Sequence, residues 1–264
     1  MDKRKKRAVH VKVRGFLAPK AGFSCEQCED ALRISQTKFC VSDGAGSASY
    51  SSEWAWALCF RVLKKSPPSQ GSNQEFSEWL APARTCWNTL VPWERLIRPI
   101  QRKKAQRGSG ATLAGIEILD VQETSSLRFR YFALGDSCIF LVRNNTCIWT
   151  QPIKHEDGFG FTPALIHTRQ EYDRQTIQSW KEGEEEALPG DFLILATDAL
   201  SEFIYRVLCQ QNNDQELLPW IRKLLLIRKK HSNREFVTFI ETKRRERKLR
   251  NDDVALVIIH ISQG

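Results

Sequence analysis

Val9, Val11 and Val13 alternate with His10, Lys12 and Arg14, the period of two expected of a half-buried strand. The alternation returns at 127–132, turns at Gly135-Asp136 and continues into the apolar run 138–142. Asn144-Asn145 then predicts a tight hairpin into 146–150, because asparagine tolerates the positive φ that such turns need. Short runs rich in β-branched and aromatic residues at 38–42, 112–119, 192–197 and 254–261 read as further, buried strands. Between them the period changes. Trp54, Ala57, Leu58, Arg61 and Val62 predict a helix over 49–64 that Ser66-Pro67-Pro68 closes. A second helical stretch over 76–104 is expected to break at Pro82 and Pro92. A third block covers 199–211 and 215–230, with Leu217, Leu218, Ile221, Leu224 and Leu225 on one side. Trp54, Trp79, Trp87 and Trp220 fall in these helical blocks and read as core packing. Hairpin-linked strands argue for antiparallel sheets, and the helical blocks for layers on their outer faces. The expected class is an α+β sandwich.

The 264 residues suit one domain, expected at 9–264 behind a basic extension at 1–8. No stretch approaches the ~20 apolar residues of a membrane span. The basic start has no apolar run behind it of the kind a secretory signal needs, so a cytoplasmic location is expected. Most of the eight cysteines sit in apolar runs and read as free thiols. Cys25 and Cys28 form a lone CxxC without the second ligand pair of a structural zinc site. The net charge of +9 gathers at 3–7, 102–107, 222–230 and 243–250. Such a surface suits an anionic partner: a phosphorylated protein, a nucleic acid or an acidic membrane face. No zinc-finger or RNA-binding aromatic signature accompanies it, which disfavours nucleic acid.

Acidic residues punctuate the ends of the apolar strands. Phe39-Cys40-Val41-Ser42 ends in Asp43-Gly44, the run 192–197 in Asp198, and the run 131–134 in Gly135-Asp136. Asp252-Asp253 stands directly before the last strand. Each alone has an ordinary reading, since Asp-Gly is a common turn and Asp before a helix a common N-cap. Together they point to a metal cluster, because carboxylates at buried strand ends are costly unless cations offset them. Hard oxygen ligands favour magnesium or manganese over zinc. The segment Asp43-Gly44-Ala45-Gly46-Ser47 opens into the first helix, so its backbone can bend beside the site and a glycine carbonyl can serve as a ligand. It lacks the Lys-Ser/Thr of a nucleotide-binding P-loop.

Six segments in order carry a resemblance. They are Glu29-Asp30-Ala31, Val41-Ser42-Asp43-Gly44-Ala45-Gly46-Ser47, Ser109-Gly110-Ala111-Thr112, Ala133-Leu134-Gly135-Asp136-Ser137, Ala196-Thr197-Asp198-Ala199-Leu200-Ser201-Glu202 and Asp252-Asp253-Val254-Ala255. From about residue 10 to 262 the chain resembles the type 2C metal-dependent protein phosphatases, and its Ser-Asp-Gly-Ala-Gly-Ser version is similar to a bacterial branch. The resemblance implies a four-layer α-β-β-α sandwich with two Mn²⁺ or Mg²⁺ ions at one end. It implies that Asp43 bridges both ions and that the Gly44 carbonyl completes one of them. By the same resemblance Asp198 and Asp252 would bind the other. Glu29 would act through a water, Asp30 would support the site from behind, and Asp136 would help Asp198 form a third, weaker metal site. Two such ions, about 3.5–4 Å apart, activate a water for in-line attack on phosphorus. The implied partners are a phosphoserine/phosphothreonine protein substrate and a serine/threonine kinase. A flap over the site is expected between 152 and 182.

Four positions depart from the family's better-known pattern. Ala45 replaces a histidine, Ala199 a glycine and Ala255 a Thr or Ser. Cys25 stands where an arginine usually binds the substrate phosphate, with Lys20 or Arg33 as possible stand-ins. Three readings follow: an active protein phosphatase, a phosphatase-like regulatory protein with little turnover, and a phosphatase of nucleotides or nucleic acid.

Overall fold

The computed structural model describes residues 9–46, 48–69, 71–121, 126–160, 162–210 and 216–263. The basic extension at 1–8 and Ser47 lie outside the described residues. The alternating valines open β1 (Val9–Ala18), which pairs along its whole length with β12 (Val254–Gln263). β12 is buried over most of its length because it has a sheet neighbour on both sides, the other sheet on one face and helices on the other. That is why its sequence is nearly continuous in Val, Leu and Ile. Next come β11 (Phe192–Ala196), β7 (Cys138–Arg143) and β8 (Thr146–Gln151), giving the order β1-β12-β11-β7-β8. Asn144 and Asn145 have φ of 49° and 68° and make the predicted tight turn between β7 and β8.

The second sheet runs β10-β6-β5-β3-β2. It contains β2 (Asp30–Ile34), β3 (Lys38–Asp43), β5 (Leu113–Val121), β6 (Leu127–Leu134) and β10 (Lys181–Ala187). All its pairings are antiparallel. A two-stranded ribbon, β4 (Gly110–Ala111) with β9 (Ile166–His167), is joined to the end of β3 by a bridge between Ala111 and Gly44. Phe39, Val41, Ile116 and Phe129 meet Leu141, Leu193, Val257 and Ile259 between the sheets.

Helices cover both outer faces. α1 (Ser51–Lys64), α2 (Asn73–Leu90), α3 (Pro99–Gln106) and α4 (Asp173–Ser179) lie on the second sheet's side. Trp54, Trp79 and Trp87 are buried there, and their indole N–H groups donate to the carbonyls of Ile166, Lys65 and Tyr50. α5 (Asp198–Leu208), α6 (Leu217–Leu226) and α7 (Lys229–Arg245) cover the first sheet. The result is the α-β-β-α sandwich. Pro92 interrupts the second helical stretch as expected, but Pro82 does not; α2 runs straight through it. Pro82 is exposed, so water can satisfy the carbonyl that its missing N–H leaves free.

Candidate active site

The sheet registers bring the acidic strand ends together. Asp30 opens β2 and Asp43 closes β3, and the two stand directly opposite each other in the ladder. Like charges in that relation repel. Asp136 follows β6, and Asp198 opens α5 immediately after β11. Asp252 precedes β12. Burial is the leading cause that raises the Asp43 carboxyl well above the ordinary carboxylate range, followed by the charges of Asp30, Asp198, Asp136 and Asp252. Asp30 is raised too, by burial and by Asp198 and Asp253, against the pull of the Thr197 hydroxyl. Asp136, 2% exposed, is pushed up to about 7 by burial and then by Asp198. Asp198 is raised by burial too, against the pull of Arg250. Five of the predicted aspartates therefore share one electrostatic field.

Glu29 is drawn to the same place. Its carboxylate accepts the Ser51 hydroxyl at 2.5 Å, at the N-terminus of α1 where the helix dipole favours negative charge. Lys20 Nζ lies 3.5 Å from its other oxygen. Burial opposes the Lys20 charge, but Glu29, Asp253 and Asp252 outweigh it and raise the Lys20 pKa. Gly44 is glycine because of close approach rather than a sharp bend. A Cβ there would lie 2.7 Å from the Ser51 backbone and 2.8 Å from the Glu29 carbonyl.

A hydroxyl network locks the strand ends. Thr112 Oγ1 receives the Asp43 N–H at 3.1 Å and lies 2.6 Å from Ser137 Oγ. Ser42 Oγ donates to the Thr112 carbonyl at 2.6 Å. These contacts join the segments around residues 43, 112 and 136. Gly135 is required at the crossing point, with φ of +92° and Thr112 where its Cβ would be.

Two participants were not among the assigned residues. Asp253 is buried and accepts the backbone N–H groups of Lys20 (2.7 Å) and Glu29 (2.9 Å), so it sews both onto the start of β12. Its signal was the Asp-Asp pair, of which only the first member received a role. Arg250 donates to Asp198 at 2.7 Å and lies 3.1 Å from Glu202. The i, i+4 spacing of Asp198 and Glu202 on one helix was the only hint of that bridge. Of the two suggested replacements for the missing arginine, Lys20 reaches the cluster. Arg33 instead lies over the Trp56 ring, 5.1 Å from its centroid. Cys25 is exposed in a short 3₁₀ turn, and burial followed by Asp30 raises the Cys28 thiol, which disfavours a thiolate metal ligand.

The donor set fits a hard divalent cation. It is all oxygen, largely buried and mutually repelling, and Asp30 Oδ2 and Asp136 Oδ1 have no hydrogen-bond partner. Among the described residues no three His, Cys, Asp or Glu side chains are arranged to hold a metal ion together, and Asp198 is engaged by Arg250.

The sequence profile described as protein phosphatase 2C matches residues 24–241. The chain belongs to the protein phosphatase 2C family. The match stops short of Asp252, which the fold alone brings to the site. Among solved structures, the Mycobacterium tuberculosis serine/threonine phosphatase PstP/Ppp is 14% identical, with 96% of this chain and 98% of that one covered and a TM-score of 0.52. The PstP catalytic domain in complex with two manganese ions is 16% identical, covers 96% and 100%, and also scores 0.52. The photosystem II phosphatase PBCP is 12% identical, covers 95% and 98%, and scores 0.56. These likenesses establish the protein phosphatase 2C fold. No curated protein matches the sequence.

Proposed function

We propose that this protein phosphatase 2C member hydrolyses phosphoserine and phosphothreonine on protein substrates, using two Mn²⁺ or Mg²⁺ ions held by Asp43, the Gly44 carbonyl, Asp198 and Asp252. The observation that carries the reading is Asp43 facing Asp30 across the ladder, with Asp136, Asp198 and Asp252 in the same field. Such a cluster is stable as carboxylates only when positive charge is supplied. When bound, the ions supply Lewis acidity, making water nucleophilic near neutral pH and stabilising charge at the transferring phosphoryl group. The chain's own residues do the positioning. Glu29 is held by Ser51 and Lys20, and Asp253 fixes its backbone. Asp30 backs Asp43, and Asp136 with Asp198 forms the third, weaker cation position. Lys20 brings an ammonium to the Glu29 side of the cluster, a candidate to bind phosphate in place of the missing arginine. The two-manganese PstP structure supports the choice of ion by analogy of fold.

A second reading, a phosphatase fold that binds phosphoproteins with little turnover, is favoured by the Arg250 guanidinium on the carboxylate of Asp198. Hydrolysis of p-nitrophenyl phosphate and a phosphothreonine peptide, with and without Mn²⁺, separates the two. The phosphatase reading expects Mn²⁺-dependent turnover that Asp43→Asn lowers ~100-fold or more. Equal inactivity of the wild type and Asp43→Asn with every metal, alongside retained phosphopeptide binding, supports the second.

A further inference from the structure

Ile97 and Ile100 are 87% and 79% exposed, more than any other large apolar side chain described. They flank the start of α3 in a stretch whose neighbours are held down, since Leu96 and Ala105 are buried in the helical layer. The two isoleucines are thereby forced outward. Around them Arg95, Arg98, Arg102, Lys103, Lys104 and Arg107 are all exposed, and no carboxylate occurs between 95 and 107. Among the described residues none of the six cations makes an ion pair. Exposed isoleucine costs solubility and unpaired cations repel one another, so the combination is unfavourable in water alone.

We infer that residues 95–107 are a docking surface for an anionic lipid bilayer. The charge complements anionic headgroups, which attract juxtaposed Lys and Arg side chains. The aliphatic tips match the boundary between headgroup and acyl chain, where apolar side chains of surface-bound segments settle. One feature sets a bilayer apart from nucleic acid: single-stranded nucleic acid is gripped by exposed aromatic platforms, whereas the large exposed side chains here are aliphatic. No helix among the described residues is long and apolar enough to cross a membrane. The inference does not depend on the phosphatase reading.

The test is co-sedimentation of the full chain with vesicles of phosphatidylcholine alone and of phosphatidylcholine with phosphatidylserine, at low and at physiological salt. Binding is expected only to the phosphatidylserine vesicles and weaker at the higher salt. Ile97→Ser with Ile100→Ser, and separately Arg102→Glu with Lys104→Glu, should each lower it ~10-fold. Thermal melting followed by circular dichroism should be unchanged in both variants. No binding to phosphatidylserine vesicles at low salt overturns the inference, as does equal binding to phosphatidylcholine alone. Full binding by the double-isoleucine variant also overturns it, because charge alone would then suffice and a soluble polyanion becomes the partner.

Discussion

Gly44 and Gly46 sit two residues apart in one loop and face different constraints. A methyl at Gly44 meets main-chain atoms of Ser51 and Glu29, which cannot move without shifting α1 or the Glu29 turn. A methyl at Gly46 meets only the end of the Glu29 carboxylate, at 3.1 Å. Gly44→Ala is therefore expected to cost about 1–3 kcal/mol in urea denaturation, the range for overpacking, and to weaken Mn²⁺ binding by moving Asp43 against Glu29. Gly46→Ala should leave stability nearly unchanged while displacing the Glu29 side chain. Equal costs for the two substitutions would show that the approach of α1 to the loop is not the constraint. At this scale the aspartates were legible because carboxylates rarely end buried strands without a purpose. Asp253 and Arg250 were not. Their roles rest on partners more than fifty residues away in the chain, Lys20 and Glu29 for one and Asp198 for the other.

α2 shows a helix overruling a local breaker. Ser72 caps it with a reciprocal contact to Glu75, and Phe76, Trp79, Leu80, Ala83 and Trp87 bury one face against the helical layer of α1 and α4. That burial outweighs the defect at exposed Pro82. Pro82→Ala should then stabilise the protein, by at most the ~3 kcal/mol that separates Pro from Ala inside a helix. A shift of the urea midpoint to higher concentration at unchanged slope would show it, whereas a lower midpoint would mean that Pro82 has a packing role. β10 was missed for the opposite reason. Its sequence, Lys-Glu-Gly-Glu-Glu-Glu-Ala, has no apolar alternation because it is an edge strand. It is held by cross-strand charge, with Arg130 bonded to Glu182 at 2.6 Å and Ser126 to Glu186. α7 was equally hidden. Only its two ends were noticed, as the basic clusters 222–230 and 243–250, but Phe236, Ile240 and the Lys243 stem are buried, and the Lys243 ammonium pairs with Glu216 and Glu246.

For the whole molecule the carboxylate cluster makes stability depend on pH and on metal. Asp30, Asp43, Asp136 and Asp198 all have folded pKa values above those of the unfolded chain. The folded state therefore holds more protons, and stability falls as pH rises from the ordinary 3.8 toward the folded values, about 7 for Asp136. In the presence of a chelator the melting temperature should drop across that window, by several degrees for each kcal/mol lost. Mn²⁺ should restore it, and by more at pH 8 than at pH 5, because the ions take the place of the protons. A melting temperature that rises with pH in chelator would contradict the repulsive cluster.

The chain by itself determined the layers: period-two and apolar runs became the strands, the longer period became the helices, and acidic punctuation marked one end. These are local signals, readable because side-chain direction follows backbone periodicity over a few residues. Tertiary structure decided the rest. It set Asp30 opposite Asp43 through the register of β2 and β3, and it turned Asp253 into a clasp for Glu29. It placed Arg250 on Asp198 and left Ile97 and Ile100 projecting among unpaired cations. Each of these depends on contacts between distant segments, which no window of sequence contains.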